Sequence, residues 1–242
     1  MGSLHGEPAN VLRPQYGVYS ASVYIYNILM RRTYYTLSVE IRPGWTLPNE
    51  RSLKYTKDVI TGELSSKLAD PTGWLIEPPH ILFANLGYST SRPDGWASAA
   101  EACAFIKKYG VVDTGNDSGE ALEVGERFVV SALPFGYMQH AFRHAWRKGD
   151  AKAVWFPQGF ENFNNYILPL TRAVEGFELR PSDCLTYMRF LLARDLTERR
   201  ARICTNKTCP APYFVATRGN AKFCSRDCAN VVAQRNFRMR KK

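Results

Sequence analysis

The rhythm of apolar and polar positions changes several times along the chain, and each change marks an element. Residues 18–30 and 33–41 are dense in Tyr, Val, Ile and Thr and are separated by Arg31-Arg32. That pattern predicts a β-hairpin or two successive strands. Residues 43–79 are interrupted by five prolines and predict loops with short elements. The apolar run at 80–86 reads as a short buried strand. A helical rhythm then takes over at 97–109 and stops at Gly110. A second helical stretch is expected from Ser118 toward Leu133, broken by Pro134, and a third over 137–148, ending before Gly149. Residues 153–156 suggest another strand. Pro181-Ser182-Asp183 opens a long helix with Ser182 as N-cap, running to about Arg200. Its apolar positions Leu185, Met188, Leu191, Leu192 and Leu196 fall on one face.

Composition refines the picture. Hydrophobic residues make up 45% of the 242 and charged residues 22%, enough for a sizeable core. No apolar run approaches the roughly 20 residues that cross a bilayer. Residues 1–13 lack the basic-then-apolar order of a secretory leader, so a cytoplasmic, reducing compartment without membrane attachment is expected. The net charge is +10, and its location matters more than its size. Residues 199–242 contain twelve Lys or Arg and one acid, Asp227, so the basic character belongs to the end of the chain. The chain therefore divides into a flexible N-terminus (1–16), a mixed α/β body (17–198) and a small basic module (199–242), an α+β protein as a whole. A concentrated positive segment suits a polyanionic partner.

Four of the six cysteines fall in that module. Four residues separate Cys204 from Cys209, three separate Cys224 from Cys228, and fourteen lie between the pairs. In a reducing compartment, paired thiols at this spacing point to one tetrahedral, structural Zn2+. All four positions are then protein ligands, which leaves no open coordination for catalysis. Residues 213–217 and 221–223 are expected as two short strands around the turn Arg218-Gly219-Asn220. Ser225 is a natural N-cap for a helix that carries Asp227 and Cys228 in its first turn. This order of knuckle, hairpin and helix describes a treble-clef-like finger. So few residues bury too little apolar surface to fold alone, so the metal must supply most of the folding energy. Cys103 and Cys184 sit in apolar helical contexts and are expected in the core.

Taken together, Cys204-x4-Cys209, Tyr213-Phe214-Val215 and Phe223-Cys224-Ser225-x2-Cys228-Ala229-Asn230 resemble the CGNR zinc-finger proteins. The resemblance implies a bacterial protein with an N-terminal ABATE-like domain and a C-terminal zinc finger that binds DNA as a transcription regulator. Leu82-Phe83-Ala84-Asn85-Leu86 followed by 99–111, and the helix leading into Cys204, are similar to the family's body. The family's signature tetrad Cys-Gly-Asn-Arg reads here Cys228-Ala229-Asn230-Val231, and the Arg-Arg-Trp before the third cysteine is replaced by Ala221-Lys222-Phe223.

Read from the residues themselves, the terminal helix presents Arg226, Gln234, Arg235, Arg238, Arg240, Lys241 and Lys242. Arg199, Arg200, Arg202, Lys207, Arg218 and Lys222 flank it as phosphate contacts. Arg and Lys neutralise phosphates, while Gln and Arg also read base edges, so a nucleic acid is the expected partner, and the resemblance to CGNR proteins implies that it is double-stranded DNA. Two other readings stay open: a protein-interaction module, and a nucleic-acid-directed enzyme with its site in the body. The body's aromatic residues, Tyr24, Tyr26, Tyr34, Tyr35, Trp74, Trp96, Phe135, Tyr137, Trp146 and Trp155 among them, are expected mostly in the core. Some could line a pocket for a small effector, and the body could also pair with a second copy. His140 and His144 share a helix face but lack the glutamate of a metalloprotease motif, Ala141 standing there. Gly-x-x-x-x-Gly-Lys and Gly-x-Ser-x-Gly are both absent.

Overall fold

A computed structural model describes residues 18–21, 37–41, 45–69, 74, 78–112, 124–151, 153, 170–173, 176–179, 181 and 183–241. Within them the chain mixes strand and helix. The strands are β1 (Val18–Ala21), β2 (Leu37–Ile41), β3 (Thr46–Pro48), β4 (Lys54–Tyr55), β5 (Val59–Leu68), β6 (Arg127–Ser131), β7 (Leu170–Ala173), β8 (Gly176–Leu179), β9 (Ala201–Ile203) and β10 (Tyr213–Val215). The helices are α1 (Pro79–Asn85), α2 (Ala99–Tyr109), α3 (Ala132–Lys148), α4 (Cys184–Thr197) and α5 (Arg226–Arg240). Among the described residues no helix is long and apolar enough to cross a membrane.

One sheet runs β1-β2-β8-β7, with β2 and β8 parallel and the other pairs antiparallel. The β1–β2 pairing, Val18 opposite Glu40 to Ala21 opposite Leu37, joins the two segments expected as strands. A second sheet is organised by the long β5, which pairs with β3, β4 and β6. Alternation decides its faces: Ile60, Gly62 and Leu64 of β5 point inward, as do Phe128 and Val130 of β6. Gly62 lies directly opposite Phe128, and a Cβ there would come within 2.7 Å of the ring. The glycine makes room for the phenylalanine.

Helices α1 to α4 pack an aromatic core. Phe83 lies in edge-to-face contact with Phe135 and Phe142, at centroid distances of 5.1 and 5.2 Å. Trp45, Trp74, Tyr109 and Tyr187 form a second ring cluster, tied by the Trp45 indole N–H donating to the Tyr109 carbonyl at 2.9 Å. Helix α2 begins with a reciprocal capping box between Ser98 and Glu101. Helix α3 stops at Gly149, which adopts the left-handed conformation at φ 68°.

Several expectations are corrected. Residues 80–86 form not a strand but helix α1, because Pro79 sits in the first turn where its missing N–H costs nothing. Its apolar run is too short for periodicity to separate helix from strand. The helix expected from Ser118 to Leu133 is replaced at its C-terminal end by strand β6, whose partner β5 overrides local propensity. Residues 113–123 lie outside the described residues. Pro134 opens α3 rather than breaking a helix, since the first backbone N–H groups of a helix have no acceptor within it. Asp183 is the N-cap of α4, its carboxylate accepting the Thr186 N–H at 2.6 Å. The strand expected at 153–156 falls almost wholly outside the described residues, as do Tyr24, Tyr26, Tyr34, Tyr35 and Trp155. Leu185, Met188, Leu191, Leu192 and Leu196 are all buried, as is Cys184, while Cys103 is half-buried.

Candidate metal centre

The site is built on the exit from α4. There Arg199 adopts the left-handed conformation at φ 56°. The Arg199 N–H donates to the Leu196 carbonyl at 3.0 Å and the Arg200 N–H to that of Asp195 at 2.7 Å, the bonding of a Schellman turn. The chain reverses there into β9, which pairs antiparallel with β10, Tyr213 opposite Ile203 and Val215 opposite Ala201. The expected pairing of 213–217 with 221–223 is therefore corrected. Residues 221–223 carry no strand; instead the Lys222 carbonyl accepts the Thr205 N–H and hydroxyl. A turn closes at the expected place, the Ala221 N–H donating to the Arg218 carbonyl.

Cys204 follows β9, Cys209 ends the next turn, and Cys224 and Cys228 bracket the start of α5. Ser225 caps that helix by accepting the Cys228 N–H at 3.2 Å, with Asp227 in the first turn. The four Sγ atoms all lie within 4.8 Å of one another. Cys209 and Cys224 are 3.5 Å apart, and Cys224 and Cys228 3.6 Å. In a tetrahedral site with metal–sulfur bonds of about 2.3 Å, neighbouring sulfurs stand about 3.8 Å apart. The quartet therefore fits a single ion, and among the described residues it is the one cluster of His, Cys, Asp or Glu arranged to hold a metal.

Asn206 organises the turn between the first two cysteines. Its carbonyl oxygen accepts the Thr208 N–H and hydroxyl, and its backbone carbonyl accepts the Cys209 N–H. The buried amide then donates to the Cys228 sulfur at 3.4 Å. That bond lowers the Cys228 thiol to about 7. Burial pushes Cys209 up to about 11 and also raises Cys224. Sulfurs this close resist ionising together without a cation between them, so metal binding is tied to proton release.

The module is fastened to the body by named groups. The Asn85 side chain, at the end of α1, accepts the Tyr213 N–H at 3.1 Å and donates to the Tyr213 carbonyl at 2.8 Å. The Trp146 indole of α3 donates to the Arg202 carbonyl at 2.9 Å and meets Tyr213 edge-on. Strand β10 alternates accordingly: Tyr213 and Val215 join the body core, whereas Phe214 and Ala216 pack beside the cysteines. Beneath the junction His80 stacks on Trp146, and its Nε2 lies 3.0 Å from the Asp195 carboxylate. The neutral tautomer with Nε2 protonated satisfies this geometry. Nδ1 is buried with no hydrogen-bond partner among the described residues, and burial holds the imidazole below its ordinary pKa.

Sequence reasoning missed Asn206, Asn85 and the His80–Asp195 pair. Asn206 had a local signal, being a turn-forming residue inside a cysteine knuckle; the other two depend on contacts far apart in sequence.

The basic residues have varied settings. Arg199, Arg200, Lys207, Arg218, Lys222, Arg226, Gln234, Arg235, Arg238, Arg240 and Lys241 are exposed, and Lys242 lies outside the described residues. Arg202 is half-buried and donates to the Gly219 carbonyl at 3.1 Å, bracing the module itself. Arg235 reaches the Thr208 hydroxyl at 3.5 Å and Arg200 the Glu198 carboxylate at 3.1 Å. His140 is exposed and His144 half-buried on α3. Comparison of the chain with protein-family models, curated proteins and solved structures finds no match.

Proposed function

We propose that the chain is a zinc-stabilised nucleic-acid-binding protein whose helix α5 enters the major groove of duplex DNA. We further infer a treble-clef-like finger and a transcription-regulating role of the kind that the resemblance to CGNR proteins implies. The observation that carries this reading is the surface of α5. Of its residues only Cys228 is buried; Ala229 and Val232 are half-buried, Arg235 reaches back to Thr208, and the rest of the helix faces solvent.

At about 100° per residue, Arg226, Arg235, Arg238 and Arg240 point to widely different sides of the axis. The exposed Val231, Phe237 and Met239 likewise share no single stripe. A helix that docks on a protein surface needs one apolar face. Cations all round suit a groove walled by phosphates on both sides. A 15-residue helix extends about 22 Å and fits a major groove about 12 Å wide. Zinc supports the reading as the ion best matched to a closed set of four thiolates.

The test has two arms on the full chain. Elemental analysis should find one zinc per chain. Binding to a mixed-sequence duplex should weaken steeply with salt, and an Arg238→Ala, Arg240→Ala double variant should lower the slope of log affinity against log salt by about 2. Absence of salt-sensitive duplex binding in the zinc-loaded protein would sink the proposal.

A further inference from the structure

One exposed feature of the body lies apart from the cysteine module. Trp96 is 47% exposed and Tyr137 of α3 equally so, with ring centroids 5.7 Å apart. Trp96 is nonetheless held firmly. A Cβ on Gly136, inside α3, would come within 2.6 Å of the Trp96 ring, so the indole lies flush on the helix only because that residue is glycine. Gly87, at φ 64°, admits the Trp96 backbone in the same way. The next N–H, of Ala97, donates to the buried Gln139 side chain at 3.2 Å. Glycine in a helix interior is an unfavourable choice, and here it serves to seat a ring that is only half covered.

The ground around the ring is positive on balance, with Arg92, Arg143 and Arg147 set against Asp94 and the capping Glu101. Gly95 accepts from Arg143 at 2.8 Å, and the Arg143 guanidinium, 1% exposed, also bonds the Ala84 and Leu86 carbonyls, so its hydrogen bonds bring it no counter-charge. Arg92 is exposed one turn before Trp96. Asp94, the acid of this loop, is paired with Arg147 at 2.7 Å. Along α3 the positions Leu133, Tyr137, His140 and His144 share one face, and Arg147 continues it toward the β9–β10 hairpin.

We infer that this face is a stacking platform for an unpaired nucleic-acid strand. Bases lie on Trp96 and Tyr137, and phosphates are drawn by Arg92 and the field of the buried Arg143, while Asp94 holds the Arg147 charge. The charge complementarity favours a polyanionic strand over an uncharged proline-rich peptide, which the same rings could otherwise receive. The inference rests on the nucleic-acid reading above and adds single-stranded segments, such as an opened or distorted site, to its substrates.

The experiment measures affinity of the zinc-loaded full chain for a labelled oligothymidine of about a dozen nucleotides and, separately, for a blunt duplex. Trp96→Ala and Tyr137→Ala should each weaken strand binding about fivefold or more, because a stacked base contributes at least that much. Duplex affinity should stay within about twofold. Trp96→Phe, which keeps a ring, should recover most of the loss. Should Trp96→Ala disturb folding, Tyr137→Ala carries the test alone, since it alters one exposed helix position.

Strand binding unchanged in both alanine variants would overturn the platform while leaving duplex binding by α5 intact. Equal losses in Trp96→Phe and Trp96→Ala would also overturn it, as would capture of a proline-rich peptide in place of the strand. Loss of duplex binding in the α5 double variant, with strand binding kept, would separate the two surfaces.

Discussion

The body, up to the end of α4, and the part that follows β9 are held together by different means. In the first, Phe83, Phe105, Phe135 and Phe142 interlock with the Trp45, Trp74, Tyr109 and Tyr187 rings in one continuous core. In the second, Phe214 and Ala216, with partly buried Ala221 and Phe223, are almost all the apolar substance beside the four cysteines. The body can lose a contact and remain folded, because its stability is spread over many buried groups. The small module has no such reserve, and its organisation depends on whatever draws the sulfurs together.

Removing that focus gives the largest effect. A Cys224→Ser, Cys228→Ser variant should contain no tightly held metal, and α5 should become protease-sensitive while the body keeps a cooperative unfolding transition. Metal binding in such modules contributes about 10–16 kcal/mol of folding free energy. Elemental analysis and limited proteolysis check this, and a variant that keeps both its metal and its protected helix would break the contrast.

Cutting the tie between the two regions should cost less. Asn85→Ala removes both hydrogen bonds to the Tyr213 backbone and leaves a part-buried N–H and carbonyl unsatisfied, a loss of about 2–3 kcal/mol. Hydrogen exchange should then speed up in β9 and β10 with zinc retained. Unchanged exchange there would mean that Trp146 alone holds the hairpin.

The smallest effect concerns acid. His80 has its pKa lowered from 6.5 by burial, so the unfolded chain takes up a proton before the folded one does. Stability from this group is therefore complete above pH 6.5 and declines below it. Asp195, lowered from 3.8 despite burial by its bond to His80, acts in the same direction at lower pH. In His80→Gln the dependence of the thermal midpoint on pH just below 6.5 should be shallower than in wild type. Parallel curves would show that His80 does not titrate in that window.

The cysteine quartet and the cap at Ser225 were legible because their signals are local: spacing, a capping side chain, and an acid in the first turn. Gly110 and Gly149 marked helix ends for the same reason. What escaped depended on partners distant in sequence. Strand β6 exists because β5 lies beside it, and residues 201–203, to which no strand was assigned, become β10's partner once Arg199 turns the chain. The seven residues of α1 gave periodicity too little length to work with. Asn85 and His80 found their partners 128 and 115 residues away, a distance that no pattern within a window can span.

Strand β10 has a bearing on how such a protein can change over generations. A module joined by a free linker can be exchanged between proteins by recombination, since neither side notices the swap. Here alternate residues of three consecutive positions belong to different neighbours, Tyr213 and Val215 to one and Phe214 to the other. A foreign finger spliced in after α4 would have to bring a strand that fits the Asn85 and Trp146 seat. The two parts are thus bound to a common inheritance, and drift in one must be answered in the other.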